Sequence, residues 1–176
     1  MIISLIGFMA AGKTTVGKKI AQRLDYDFID LDQYVEKKQK MSVQELFKTK
    51  GEKYFRKLEK KYLKYILSNY DNLVISPGGG IVLNEKNIKI LKKKTVPFLL
   101  KASSNTVLKR IDKLEERPLL NNESPKKTIE KLLDKRDKHY NQFENVINTD
   151  NKRIEKIVDE IIVKLESLKW EIWRLK

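Results

Sequence analysis

Residues 7–14 read Gly7-Phe8-Met9-Ala10-Ala11-Gly12-Lys13-Thr14, a complete G-x-x-x-x-G-K-[ST] match. The spacing has a physical basis. Successive backbone N–H groups of such a loop wrap terminal phosphates, and glycine permits the close approach and the positive dihedrals that this needs. In that arrangement Lys13 neutralises the β- and γ-phosphates and the Thr14 hydroxyl ligates Mg²⁺. The N-terminus of the following helix adds its partial positive charge. The motif also arises by chance as a glycine turn with an incidental lysine, so its context decides. Residues 2–6 (IISLI) are a short apolar run rich in β-branched side chains, which reads as a buried strand. Residues 13–24 place Val16, Ile20 and Leu24 four apart, which reads as a helix.

Outward from the loop, the two element types alternate. Residues 26–32 (YDFIDLD) read as a second strand ending in acidic residues. Ser42 and Glu45 are spaced as a capping box opening a helix through about Lys50, and Gly51 breaks it. A long helix follows from about Glu52 to Ser68, with Phe55, Leu58, Tyr62, Tyr65 and Ile66 on one face. Residues 73–76 (LVIS) form a third strand that meets Pro77 and Gly78 to Gly80. Residues 95–100 (TVPFLL) form a fourth, whose limits Pro97 blurs. Ser103 or Ser104 caps a helix to about Leu114, and residues 115–124 (EERPLLNNES) read as a loop. Ser124 and Pro125 start another helix in favoured cap and first-turn positions. Residues 145–148 (NVIN) are a fifth strand. The last helix carries Ile154, Ile157, Val158, Ile161, Ile162, Leu165 and Leu168 at helical period and continues toward Trp170 and Trp173. Apolar strands alternating with helices imply an α/β fold, a parallel sheet covered on both faces. With no repeat and no low-complexity linker, residues 1–176 read as a single domain.

Composition narrows the function classes. A chain of 176 residues buries roughly 68–70% of its unfolded surface and needs no staples. It has no cysteine, which removes disulfides, thiolate catalysis and zinc-thiolate sites. His139 is the single histidine and reads as a helix-surface residue rather than a catalyst. No apolar run approaches the ~18 residues of a membrane span. The N-terminal run lacks a leading Lys or Arg, so no export signal is expected and a cytoplasmic location is. The formal charge of +14 raises nucleic-acid binding as a possibility. The lysines are interleaved with Glu and Asp, however, and no nucleic-acid motif accompanies them, so they read as solvated helix faces.

A phosphate loop implies a nucleoside triphosphate without naming the phosphate acceptor. No N-K-x-D guanine motif is present, and a chain this short fits a small-molecule or nucleotide kinase. Asp30 and Asp32 stand two apart at the end of the second strand, so a strand would point both the same way. That suggests one carboxylate for the Mg²⁺ shell and one for an acceptor hydroxyl; a pair of helix caps is the competing reading. Three glycines after a buried strand let a ligand sit against the sheet edge. Arg56 on the long helix, Arg117 in the proposed loop and Arg136 on the next helix complete the candidates.

The set GFMAAGKT, DLD, FRKLE, GGG, RPLL and KRDKHY, in this order and spacing, resembles the shikimate kinase family over residues 1 to about 165. The resemblance implies a P-loop kinase fold with a five-stranded sheet ordered 2-3-1-4-5, a substrate-binding region over 31–60 and a mobile lid over 112–124. It implies ATP as co-substrate, Mg²⁺ as cofactor, shikimate as substrate and a place in aromatic amino-acid biosynthesis. Lys13, Asp32 and Arg117 would be catalytic. Ala10, Ala11, Gly12, Lys13, Thr14, Thr15, Arg110 and Arg117 would bind ATP, with Arg110 packed against adenine. Asp32, Arg56, Gly79 and Arg136 would bind shikimate, with the two arginines on its carboxylate. Thr14 would ligate the metal directly and Asp30 through water. A monomer with no nucleic-acid or membrane partner is expected. Ala10 and Ala11 depart from the family's usual Gly-Ser, Pro77 stands where a small or hydroxylated residue is common, and no adenine contact is assigned to Asn151–Ile154. Residues 166–176 form an extension of unknown role.

Two other readings stay open from the residues themselves. A gluconate or nucleoside-monophosphate kinase shares the phosphate loop, although two arginines suit a carboxylate better. A basic, non-catalytic ATP- or nucleic-acid-binding module is the alternative of another class.

Overall fold

The computed structural model describes residues 1–111 and 124–174, with side chains to residue 168. Its centre is β1 (Ile2–Gly7), six residues all buried. Ile3, Leu5 and Ile6 are wholly inaccessible, and full burial of such a side chain contributes about 1.5–3 kcal/mol. β1 pairs in parallel with β3 (Leu73–Ser76) on one side and β4 (Val96–Lys101) on the other. β2 (Asp27–Asp30) and β5 (Val146–Asn148) form the edges, so the order is β2-β3-β1-β4-β5, all parallel. The strand order is the one implied by the resemblance. Pro97 is tolerated because β5 pairs with β4 only from Leu99 onward, leaving the start of β4 with β1 as its single neighbour.

Helices cover both faces. α1 (Lys13–Leu24) and α8 (Ile154–Arg174) pack on one, where Val16, Ile20, Ile157, Val158 and Ile161 share a core with Leu5, Phe98 and Ile147. On the other, α4 (Glu52–Asn69) and α5 (Glu85–Lys94) bury Leu63, Ile66, Ile88 and Leu91 against Ile6, Leu73 and Ile75. A smaller cluster of Val35, Leu46, Phe55 and Leu58 joins α2 (Leu31–Gln39), α3 (Val43–Lys50) and α4. α6 (Ser104–Arg110) and α7 (Pro125–Tyr140) pack on each other beyond β4.

Several sequence expectations are corrected. The second strand stops at Asp30, because the Asp30 carboxylate accepts the backbone N–H groups of Asp32 and Gln33 at 3.1 and 3.3 Å and turns the chain into α2. Asp30 and Asp32 therefore do not alternate along a strand. The helices α2 and α5 carry few buried apolar positions and are not anticipated from periodicity. α6 ends at Arg110, not near Leu114. Ser42 and Glu45 form the expected capping box, whereas the Ser124 side chain makes no cap bond and Pro125 alone marks the start of α7. Tyr65 turns outward at 52% exposure. His139 is half-buried, its Nδ1 lying 3.0 Å from Glu85 Oε1. Residues 112–123 of the expected lid, with Arg117, lie outside the described residues, as do the side chains of Trp170 and Trp173. Among the described residues no helix is long and apolar enough to cross a membrane.

Candidate active site

The phosphate loop closes at the carboxyl end of β1. Gly12 adopts φ +96, and Ala10 takes φ 56, a left-handed conformation that costs a non-glycine residue roughly 1–2 kcal/mol. The loop thus keeps a turned geometry despite alanine in place of glycine, storing modest strain at Ala10. Lys13 Nζ donates to the Gly7 and Phe8 carbonyls at 3.0 and 2.9 Å, which holds the ammonium beneath the loop. The Thr14 hydroxyl donates to Asp30 Oδ2 at 2.7 Å. Thr14 and Asp30, with Asp32 nearby, present hard oxygen donors beside a phosphate cradle, the set that suits Mg²⁺. Among the described residues no cluster of three or more His, Cys, Asp or Glu could hold a metal alone. Mg²⁺ normally takes one or two protein oxygens and completes its shell with water and phosphate.

An 830 Å³ groove runs over the loop, lined by residues 10–15, Asp30, Asp32 and Arg110. Lys152, Arg153, Ile154 and Glu155 line it too, although the sequence alone assigned them no contact. Arg110 is fixed there by bonds from Nη1 to Thr149 Oγ1 at 3.1 Å and from Nη2 to the Thr149 carbonyl at 2.7 Å.

A second cavity of 420 Å³ adjoins the groove and shares Met9, Asp32, Gly78 and Gly79 with it. Phe47, Phe55, Arg56, Gly80 and Arg136 also line it. Phe47 and Phe55 contact each other with centroids 5.2 Å apart, so they are core and cavity wall at once. The three glycines are required by close approach rather than by turn geometry, since none has positive φ. A Cβ on Gly78 would lie 2.5 Å from Asp32 Oδ1, and one on Gly80 would collide with the Arg56 guanidinium. Arg136, 2% exposed, lies with Cζ 5.0 Å from the Phe8 ring centroid. Tyr140, one turn further along α7, donates to the Gly79 carbonyl at 3.3 Å and pins α7 to the glycine segment.

Glu59 was missed by sequence reasoning. It is a carboxylate only 1% exposed, and both its oxygens accept from Arg56 Nη1, at 3.0 and 2.9 Å. Burial pushes its pKa up to about 7, with Arg56 opposing the shift and Asp32 adding to it. Its signal was present in the spacing: residues 56 and 59 share a helix face, where opposite charges pair. Asp32 is likewise pushed up to about 6, first by burial and then by Asp30, against the pull of Lys13 and Arg56. Two buried polar atoms of this cavity's residues have no hydrogen-bond partner among the described residues, the acceptor Asp32 Oδ1 and the donor Arg136 Nε. Such orphans are rare in folded proteins and point to a ligand or water that completes them.

Comparison with known proteins agrees with this geometry. A family model described as shikimate kinase matches residues 9–166. The chain is 47% identical over 160 residues to the shikimate kinase of Caldanaerobacter subterraneus subsp. tengcongensis, covering 91% of this chain and 93% of that one. It is 41% identical over 166 residues to that of Thermodesulfovibrio yellowstonii, covering 94% and 95%. The solved structure of shikimate kinase from Acinetobacter baumannii in complex with shikimate superposes with a TM-score of 0.91 at 31% identity, covering 96% of this chain and 94% of that chain.

Proposed function

This chain belongs to the shikimate kinase family and is an ATP-dependent phosphotransferase acting on shikimate, and from that premise we propose which of its residues carry the reaction. The γ-phosphoryl group passes to the 3-hydroxyl of shikimate, giving shikimate 3-phosphate and ADP. One observation carries the assignment of parts. A single cavity beside the phosphate loop presents Asp32 with an unpartnered acceptor and Arg136 with an unpartnered donor. A ring bearing a hydroxyl and a carboxylate supplies the two missing partners.

In this reading Arg56 and Arg136 hold the substrate carboxylate. Planar guanidiniums match its two oxygens and fix the ring's orientation as well as its charge. Glu59 anchors Arg56 from beneath. The backbone of Gly79 faces the ring hydroxyls. Asp32 accepts the reacting hydroxyl and aligns it with the phosphate groove. A carboxyl whose pKa is lifted to about 6 is ionised at neutral pH yet basic enough to take the proton as the new bond forms.

Residues 10–15 cradle the triphosphate, and Lys13 turns from the Gly7 and Phe8 carbonyls toward the β- and γ-oxygens. Phosphoryl transfer has a loose transition state, so charge and alignment do most of the catalysis. Thr14 and, through water, Asp30 would hold Mg²⁺, which when bound supplies further charge neutralisation at the phosphates. Arg110 with residues 152–155 flanks the nucleotide. Arg117 adds a further positive charge from the segment 112–124, which we assign as the lid. We assign residues 31–60 to the substrate-binding region of a single kinase domain, and a cytoplasmic, monomeric enzyme in aromatic amino-acid biosynthesis. Coupled ADP release measured with shikimate, gluconate, AMP and CMP tests the reading. Shikimate alone should support turnover; ADP release with gluconate or a nucleotide in its place overturns the assignment.

A further inference from the structure

We propose that Glu52 is an internal competitor for the substrate carboxylate, so that binding shikimate exchanges one carboxylate for another on Arg56. The proposal rests on the reading above that Arg56 takes that carboxylate. It starts from the donor count. A guanidinium has five N–H groups in a fixed planar fork. Glu52, one turn before Arg56 on α4, accepts from Nε at 3.2 Å and from Nη2 at 3.0 Å with the same oxygen, Oε1. Glu59, on the next turn, holds Nη1 with both of its oxygens. These four contacts leave one N–H on Nη2. A carboxylate bound in paired geometry needs two parallel N–H groups from neighbouring nitrogens. Neither two-nitrogen edge of Arg56 is complete, so the incoming carboxylate must displace a resident one.

The two residents are not equally displaceable. The Glu59 side chain is 1% exposed, and losing its arginine would strand a charge in the core. Glu52 is 46% exposed, bonds through one oxygen, and can return to water. Glu52 lines a separate recess with Gly80, Leu83 and Asn84, whereas Phe47, Phe55 and Arg136 line the substrate cavity. Its release therefore frees the Nε–Nη2 edge without crowding the substrate, while Glu59 keeps hold of Nη1. Gly80, with no side chain, lets Nη2 lie against the glycine segment that lines both spaces, so the freed edge borders the substrate cavity.

The consequence is a selectivity filter for anions. In the free enzyme Arg56 is held oriented and its charge is matched. A stray anion gains little there, because it must first displace Glu52. A ligand whose carboxylate also reaches Arg136 gains a second arginine and overcomes that barrier. Glu52 thus weakens every carboxylate ligand at Arg56 but leaves a neutral analogue untouched.

The test is a double-mutant cycle on the intact protein, read by calorimetric titration of shikimate and by the coupled assay. Glu52→Gln should tighten shikimate by about 2- to 5-fold, the range spanned by a solvent-exposed ion pair. KM for shikimate should fall by the same factor, with kcat and the KM for ATP unchanged. Glu52→Ala should reproduce this, and an analogue with the carboxylate reduced to an alcohol should bind both proteins equally. In an Arg56→Gln background Glu52→Gln should have no effect. Unchanged or weaker shikimate binding by Glu52→Gln, with Arg56→Gln clearly impaired, overturns the exchange. So does a tightening that persists without Arg56, since that is long-range repulsion. Normal shikimate binding by Arg56→Gln alone overturns instead the underlying assignment of Arg56.

Discussion

Replacing Asp32 by Asn should make the unliganded protein more stable while nearly abolishing turnover. Burial, with Asp30 beside it, lifts the Asp32 carboxyl from 3.8 to about 6. An unfolded chain ionises this group near 3.8, so between pH 4 and 6 the folded state binds the extra proton. Stability therefore falls as pH rises through that window, and the penalty is fully present above it. Roughly two pH units at about 1.36 kcal/mol each amount to about 3 kcal/mol. The amide introduced by Asp32→Asn carries no charge and no such penalty, and loss of the carboxylate also relieves Glu59, which Asp32 pushes upward. For a chain of this size 1 kcal/mol moves Tm by about 2–4 °C, so at pH 8 the variant should melt about 6–12 °C higher. The gain should shrink toward zero near pH 4. Thermal unfolding of both proteins without ligand, from pH 4 to 8, measures it, and the coupled assay should show kcat lowered by about 10²–10³. A variant that is less stable at pH 8, or a stability difference that ignores pH, would refute the account of Asp32 as a carboxylate held at a cost for catalysis.

Lys13→Ala should keep its circular dichroism spectrum and lose about 10²–10³ in kcat, the scale of one removed charge stabiliser; near-normal turnover would remove the loop from the mechanism. Arg136→Ala should raise the shikimate KM by roughly 10- to 150-fold, the equivalent of about 1.5–3 kcal/mol for a charged hydrogen bond, with the KM for ATP little changed. If both constants move together in steady-state kinetics, Arg136 is supporting the fold through Phe8 instead. Gly80→Ala places a methyl in the space of the Arg56 guanidinium and, at the roughly 1–3 kcal/mol of overpacking, should weaken shikimate binding by about 5- to 150-fold in calorimetry. Unaltered affinity there would mean that Arg56 does not need its observed position.

The parts of this protein that could be read in advance are those set by local rules. A buried β-branched strand, a phosphate loop and an amphipathic helix each carry their own signal, so β1, the loop and α1 were legible within a residue or two. α2 was not, because it buries only Leu31 and Val35 and begins inside a run that looks like a strand. The switch is made by Asp30, a single side chain that caps the helix, and a pattern of apolar residues cannot register it. α5 fails the same test, with its short buried face set among lysines. The site residues were named through their order and spacing, but the reasons for them are tertiary. The triple glycine exists because Asp32, the phosphate loop and Arg56 approach Gly78, Gly79 and Gly80 in turn, not because the turn there demands a positive φ. Glu59 stands on an apolar helix face and is explained only by the arginine three residues earlier.

Asp32, Arg56, Glu59 and Arg136 also imply that shikimate binding and proton binding are linked. If shikimate binds with its hydroxyl on ionised Asp32, the bound state favours the carboxylate that the free state half protonates near pH 6. Binding at that pH should then release up to about half a proton, and at pH 8 Asp32 should release none. Glu59 acts in the opposite sense. A substrate carboxylate buried beside Arg56 repels the Glu59 carboxylate more than the half-exposed Glu52 it replaces, so binding near pH 7 should take up a fraction of a proton. The two can be separated by calorimetric titration in pairs of buffers with different ionisation enthalpies. Wild type should change from net release at pH 6 toward uptake as pH rises, and Asp32→Asn should lose the release while keeping the uptake. Proton uptake by wild type at pH 6, carried by Asp32, would mean that the substrate meets a neutral acid there. The hydroxyl would then face a donor in place of a base, and the direction of proton transfer assigned to this site would be wrong.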